Sequence, residues 1–166
     1  MSRKLEDLHW YVKDLAEELL LKVKEKLNLN IIIYFTIRTF QEQNEIYAQG
    51  RTKPGKIVTN AKGGQSYHNF GLAFDLAVLK PNKTIDWNQT ADINDDDLPD
   101  YDQIGEIAED MGLEWGKRFT NLAGDFGHFQ VSFGFKIKEL LAFYNKGGMD
   151  LVNEQIHRRI EDGLSQ

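Results

Sequence analysis

Apolar residues near the N-terminus recur at steps of three and four positions. They are Leu5, Leu8, Val12, Leu15, Leu19, Val23 and Leu27. Because an α-helix turns once every 3.6 residues, this spacing gathers them on one face and leaves the charged residues on the other. The pattern predicts a long amphipathic first helix over residues 5–27 that serves as scaffold.

Several later segments carry patterns that are typical of strands. Residues 31–37 are β-branched and aromatic and predict a buried strand with Arg38 at its end. Residues 71–79 alternate, so that Asp75 points away from the apolar face. Residues 84–87 can return as a hairpin partner after a turn.

Two short strands are expected near the second histidine-containing segment. They cover residues 113–116 and 128–132. In the later strand His128 and Gln130 share one face, and the residues between them take the other. The segments that contain Asp75 and His128 therefore both present polar atoms opposite an apolar side.

Four further helices complete the predicted elements. They cover residues 41–49, 100–111, 136–145 and 150–162, with glycines at positions 50, 112 and 147–148 as their breaks. Residues 51–65 are polar and predict a long loop. With strands and helices in this arrangement we expect an α+β domain.

The composition supports one domain, with its main body over residues 1–145 and residues 146–166 as its C-terminal helical extension. A chain of 166 residues with 41% hydrophobic content buries one core, and we expect a monomer. A net charge of -6 gives no electrostatic reason to bind nucleic acid or an anionic membrane. The charged N-terminal segment predicts neither a signal peptide nor a membrane span, so synthesis in the cytoplasm is expected.

Candidate metal ligands are limited by the absence of cysteine, which leaves His, Asp and Glu. His68 and Asp75 have six residues between them, and His128 heads a later strand. Taken alone, each histidine also fits an ordinary core or loop position. Together, two imidazoles and one carboxylate leave the fourth tetrahedral position of zinc open, which indicates catalysis.

The motifs around these residues resemble a known family. Residues 66–75 read Ser-x-His-x-x-Gly-x-Ala-x-Asp, and residues 125–130 read Asp-x-x-His-Phe-Gln. Both are similar to the zinc peptidases that include D-Ala-D-Ala carboxypeptidases and L-alanyl-D-glutamate endopeptidases. Residues 38–43, residues 46–52 and the Trp-Gly pair at 115–116 resemble the endopeptidase branch of phage endolysins. The likeness extends over about residues 30–141.

The resemblance implies a role for each residue of the site. His68, Asp75 and His128 would bind one zinc ion, and Asp125 would act as general base and then acid. Arg38 would grip the substrate carbonyl, although a strand-end charge paired with Glu42 or Glu45 is the alternative. Ser66 and Gln43 match polar positions that line the family's substrate cleft.

The resemblance also implies the architecture and the substrate. We expect a small, mainly antiparallel sheet with helices on one face and zinc on the other, as in hedgehog and D-Ala-D-Ala peptidase domains. The expected activity is cleavage of the L-Ala-D-Glu bond in the peptidoglycan stem peptide, after release to the cell wall as a phage lysis enzyme. Relatives often carry Gly-Gly-Asp-Trp where this chain has residues 116–119, Gly-Lys-Arg-Phe, which could change the pocket floor or add positive charge for the peptide's carboxylates.

Two alternatives remain open at this point. The first keeps the chemistry but changes the bond, making the protein a carboxypeptidase that removes terminal D-alanine. The second is a non-catalytic, zinc-containing module that binds the wall, since hedgehog domains share this zinc fold without established peptidase activity.

Overall fold

The N-terminal helix forms as the apolar spacing predicts, but it begins later. In the computed structural model, which describes residues 1–119 and 124–164, α1 spans Trp10–Leu27, and Leu5–Asp7 forms a separate 3₁₀ turn. Its fully buried side chains lie three and four residues apart; they are Val12, Ala16, Leu19 and Val23. Asn28 ends the helix in the left-handed conformation, with φ of 53°.

Within residues 1–119 and 124–164, five antiparallel strands form one sheet. They are β1 (Asn30–Phe35), β2 (Ala73–Leu79), β3 (Ile85–Asp86), β4 (Glu114–Trp115) and β5 (His128–Gln130). The order is β1-β2-β5-β4, and β3 pairs with the far end of β2 beyond β5. The prediction that β1 is buried is wrong, because most of its residues are only half-buried. Since β1 lies at an edge of the sheet, it has a strand neighbour on one side only.

Three α-helices follow α1 in the part of the chain that the structure describes. They are α2 (Phe40–Ala48), α3 (Asp100–Asp110) and α4 (Ile137–Leu164). Thr39 and Glu42 form a reciprocal capping box at the start of α2, which fixes where that helix begins. Gly147 and Gly148 have non-helical backbone angles, so α4 is two helices joined at the break that the sequence predicts.

The core fills one side of the sheet. Phe74 on β2 and Phe129 on β5 are paired residues, and their rings stack with centroids 5.7 Å apart. Helix α1 packs on this core, and Val152 and Ile156 from the last part of α4 join it. Among the described residues, no helix has both the length and the apolar character needed to cross a membrane.

The other side of the sheet presents polar groups. Asp75 and His128 are paired across β2 and β5, one position along from the Phe74 pair, so they point away from the core. The predicted α+β class, with helices on one face of an antiparallel sheet and polar ligands on the other, is therefore confirmed.

Candidate metal centre

Three elements bring the predicted ligands together. Asp75 and His128 are directly opposite each other on adjacent antiparallel strands, where facing side chains lie closest. His68 comes from a 3₁₀ turn, Tyr67–Phe70, which lies just before β2 and ends at Gly71 with φ of 68°. This turn brings the third side chain over the same face of the sheet.

The donor atoms of His68, Asp75 and His128 form a small triangle. His68 Nε2 lies 3.2 Å from His128 Nδ1, His128 Nδ1 lies 3.1 Å from Asp75 Oδ1, and His68 Nε2 lies 3.2 Å from Asp75 Oδ1. With zinc–ligand bonds of about 2.0–2.1 Å, two ligands of a tetrahedral ion are about 3.3–3.4 Å apart. The triangle therefore fits three corners of a zinc tetrahedron.

Hydrogen bonds behind the imidazoles aim their lone pairs into this triangle. His68 Nδ1 lies 2.7 Å from the carbonyl oxygen of Thr36. Because a carbonyl oxygen can only accept a hydrogen bond, Nδ1 carries the proton, and the lone pair of Nε2 is available to a metal. His128 Nε2 donates to Gln130 Oε1 at 3.0 Å, and the Gln130 amide in turn donates to Glu114 Oε2 at 2.8 Å. These contacts leave His128 Nδ1 as a metal donor.

The electrostatics of the triangle suit a bound cation. In these tautomers two nitrogen lone pairs and one carboxylate oxygen face each other at short range and repel. Burial alone would raise the pKa of Asp75, but His68 and His128 lower it far below its usual range. Burial would lower the pKa of His128, but the hydrogen bond and charge of Asp75 raise it above its usual value. A metal ion would therefore compete with protons for these atoms.

Arg38 lies beside this centre and is almost fully buried. Its Nη1 donates to Gln43 Oε1 at 3.0 Å, and its Nη2 lies 3.5 Å from Asp75 Oδ2. Burial lowers the pKa of Arg38, whereas Asp75 and Asp125 raise it. The alternative partners Glu42 and Glu45 are not used: Glu42 caps α2, and the ion pair of Arg38 is with Asp75.

Gln43 is fully buried beneath Arg38. Besides accepting from the guanidinium, its amide donates to the carbonyl of Ala61 at 2.8 Å. These contacts orient Arg38 and tie down the long loop. Ser66 is half-buried and lines the cleft, and its backbone N–H donates to Asn69 Oδ1.

Asp125 lies in the same cleft as the three donors. Its side chain is open to the cleft, yet the cleft walls remove part of its hydration, and this burial raises the pKa of Asp125. His128 lowers the pKa, and the charge of Asp75 raises it further. A carboxyl group with a raised pKa holds a proton more readily, which suits a group that must both accept and return one.

The cleft has a volume of about 1140 Å³ and contains each predicted site residue except Gln43. Two glycines allow its floor to form. A Cβ atom at Gly116 would lie 2.4 Å from the carbonyl oxygen of Asp125 and 3.0 Å from Cβ of His128. A Cβ atom at Gly127 would lie 2.7 Å from the carbonyl oxygen of Leu76. Both positions therefore need glycine for close approach.

The two cations at positions 117 and 118 are already paired. Lys117 Nζ lies 2.5 Å from Asp102 Oδ1, and Arg118 forms a bidentate ion pair with Glu109. Both carboxylates come from α3. In this structure α3 therefore balances the positive charge of the segment, and its contribution to substrate binding stays a prediction.

Some supporting residues were not identified from the sequence. Thr36 acts through its backbone carbonyl, so its side chain gives no signal. Glu114 holds Gln130 across two strands whose register is a tertiary property. Gln130 lies within the second motif, and its position on the face of His128 was the available signal.

Comparisons with known proteins agree with this geometry. A family model described as D-alanyl-D-alanine carboxypeptidase matches residues 59–131, which contain all three metal donors and Asp125. The peptidoglycan L-alanyl-D-glutamate endopeptidase CwlK of Bacillus subtilis is 42% identical over 128 residues, which are 75% of this chain and 74% of CwlK. The crystal structure of the L-Ala D-Glu endopeptidase ChiX of Serratia marcescens matches with a TM-score of 0.51. That match has 20% identity and covers 78% of this chain and 84% of ChiX, which supports the fold.

Proposed function

The chain belongs to the D-alanyl-D-alanine carboxypeptidase family of peptidases, and from this premise we propose that it is a zinc-dependent endopeptidase cutting the L-Ala-D-Glu bond of peptidoglycan. The family resemblance that the two motifs predict is thereby confirmed. The observation that carries the proposal is the convergence of the His68, Asp75 and His128 donors beside Asp125 in one open cleft. The proposed L-Ala-D-Glu bond is the one that CwlK, a relative 42% identical to this chain, cleaves.

His68, Asp75 and His128 would hold the zinc ion through Nε2, Oδ1 and Nδ1. When bound, zinc polarises the scissile carbonyl and lowers the pKa of a water molecule to about 7. Asp125 takes the proton of the attacking water and gives it to the amino group of the departing D-glutamate. Its raised pKa suits this exchange.

Arg38 provides a fixed positive charge at the floor of the cleft. Gln43 and Asp75 hold its guanidinium, so the charge is already oriented before substrate arrives. As the scissile carbonyl gains negative charge, a fixed cation or donor of this kind contributes about 3 kcal/mol of transition-state stabilisation. Ser66, on the cleft wall, is the remaining candidate for substrate contact.

The carboxypeptidase alternative is supported by the description of the family model. That activity needs a cation that binds the terminal carboxylate of D-alanine. Among the described cationic side chains that line the cleft, Arg118 is paired with Glu109, and Arg38 lies beside the metal donors, where it is assigned to the scissile carbonyl. The 42% identity to CwlK favours cleavage of the L-Ala-D-Glu bond.

Digestion of purified peptidoglycan, with products identified by mass spectrometry, tests the activity. We expect peptides with new D-glutamate amino termini. Release of free D-alanine without such peptides would contradict the proposal and show that the protein is a carboxypeptidase. Asp125→Asn should keep its metal and lose 10²–10⁴-fold in rate, roughly the range for a general base. Asp14→Asn, on the exposed side of α1, is the matched control and should change neither property.

The metal is tested separately by elemental analysis. We expect one zinc ion per chain, with zinc lost in His68→Ala while circular dichroism stays that of a folded protein. A protein that binds peptidoglycan and carries zinc but never releases peptide would instead be the non-catalytic module. A monomeric state, synthesis without a signal peptide and a lytic phage origin stay predictions of the sequence.

A further inference from the structure

Three aromatic side chains form a ridge along one wall of the cleft. The ring centroids of Trp87 and Tyr34 are 5.0 Å apart with planes at 83°, and those of Tyr34 and Phe35 are 4.4 Å apart at 62°. All three residues line the cleft that contains the metal donors. We call Trp87, Tyr34 and Phe35 the aromatic ridge.

The aromatic ridge borders the reaction centre at both of its ends. At one end a ring carbon of Trp87 is 3.9 Å from where a Cβ atom of Gly127 would lie, next to the metal donor His128. At the other end Phe35 is paired with Asp75 across β1 and β2, and its ring centroid is 5.9 Å from the guanidinium carbon of Arg38. A group bound on the ridge is therefore close to the bond being cut.

The ridge is supported from behind but open in front. The guanidinium of Arg3 lies 5.0 Å from the Tyr34 ring centroid and 5.7 Å from that of Phe35. Ser2 exchanges backbone hydrogen bonds with Thr36 and Ile37, which holds this N-terminal segment beside β1. Trp87, in contrast, is 53% exposed. A large aromatic surface left open within a concave site is characteristic of ligand binding.

The substrate carries a group that matches this surface. In peptidoglycan the nitrogen of L-alanine is acylated by the lactyl group of N-acetylmuramic acid, so a sugar ring lies one residue from the L-Ala-D-Glu bond. The L-alanine residue and the lactyl arm each span about one extended residue, roughly 3.3–3.6 Å, so the sugar ring begins about 7 Å from the scissile bond. A pyranose ring has faces of C–H groups, whose slight positive charge complements the negative face of an aromatic ring.

We propose that the aromatic ridge is a saccharide subsite in which Trp87 stacks on the N-acetylmuramyl ring of the substrate. This inference rests on the proposed endopeptidase activity. It makes Trp87 a residue that determines preference for stem peptides still attached to glycan over free peptides.

Two substrates with the same scissile bond test the subsite. One is N-acetylmuramyl-L-Ala-D-Glu-L-Lys, and the other is acetyl-L-Ala-D-Glu-L-Lys, in which an acetyl group replaces the sugar and its lactyl arm but keeps the amide. We expect the wild-type enzyme to have a kcat/KM at least tenfold higher for the muramyl substrate, mainly through a lower KM. Trp87→Ala should remove that preference by lowering kcat/KM for the muramyl substrate far more than for the acetyl peptide, and Trp87→Phe should retain part of the preference.

Trp10→Ala is the matched control. Trp10 is 47% exposed but lies on α1 beside His157, away from the cleft, so its loss should leave the preference unchanged. Equal kcat/KM for both substrates in the wild type, or the same loss on both in Trp87→Ala, would overturn the subsite while the endopeptidase stands. Cleavage of neither substrate would overturn the proposed function, and the subsite with it.

Discussion

Replacing Gln130 by leucine tests how the protein prepares His128 for metal. Gln130 Oε1 accepts the Nε2 proton of His128, and its amide is held in that orientation by Glu114. Leucine has a similar size but no acceptor, so the imidazole loses the partner that keeps Nδ1 unprotonated. Loss of such a partner typically weakens metal binding by about 10–100-fold, or roughly 1.4–2.7 kcal/mol. Since Gln130 is only 6% exposed, water does not easily replace it, which favours the upper part of this range.

The assay is a zinc titration against a competing chelator at pH 7.5, with wild type, Gln130→Leu and Gln41→Leu. Gln41 is an exposed glutamine on α2 whose amide contacts Glu45, so its replacement controls for the chemical change alone. Glu114→Gln should also weaken zinc binding, because the amide of Gln130 is no longer held and can turn its N–H toward His128. The loss of affinity should be smaller than in Gln130→Leu, because the acceptor Oε1 of Gln130 is still present. An unchanged zinc affinity in Gln130→Leu, with the protein folded, would refute the idea that this hydrogen bond sets the tautomer.

Three further predictions concern close packing and pH. Gly105→Ala should lower the free energy of unfolding by about 1–3 kcal/mol in urea denaturation, because its Cβ would lie 2.3 Å from the Trp115 ring. Gly116→Ala should displace the backbone of Asp125 and reduce kcat/KM on a peptidoglycan peptide by roughly tenfold or more. Burial lowers the pKa of His9 from 6.5 to about 4, so the unfolded chain binds this proton more readily. Above pH 6.5 His9 is neutral in both states and does not destabilise the fold. As the pH falls from 6.5 to about 4, protonation of His9 in the unfolded chain lowers the free energy of unfolding. His9→Leu should therefore lose less stability than wild type between pH 7 and pH 4.5.

Each of these predictions has a control or a contradicting result. Gly163→Ala, in open space near the end of α4, should not destabilise the protein, and an equal loss there would count against steric overlap at Gly105. Full activity in Gly116→Ala would show that the backbone around position 116 can shift to accept the methyl group without displacing Asp125. For His9, parallel stability curves of variant and wild type would show that its ring does not titrate as buried.

The predictions from the sequence were accurate where the information is local. The three-and-four spacing correctly placed Val12, Leu19 and Val23 on the buried face of α1, because helical geometry alone determines it, whereas Leu15 from the same series is only half-buried. Alternation along β2 and β5 correctly placed Asp75 and His128 on polar faces. The start of α1 and the burial of β1 were wrong, since a 3₁₀ turn and an edge position depend on neighbours distant in the chain.

The sequence by itself determined which residues could act as metal ligands and which family they resemble. With no cysteine, two histidine motifs and one strand carboxylate, the choice of His68, Asp75 and His128 needed no coordinates. Only the tertiary structure decided whether their donor atoms converge, which atom of each faces the metal, and that Lys117 and Arg118 are neutralised by α3. These properties depend on strand register and on contacts between distant segments, which local residue patterns do not specify.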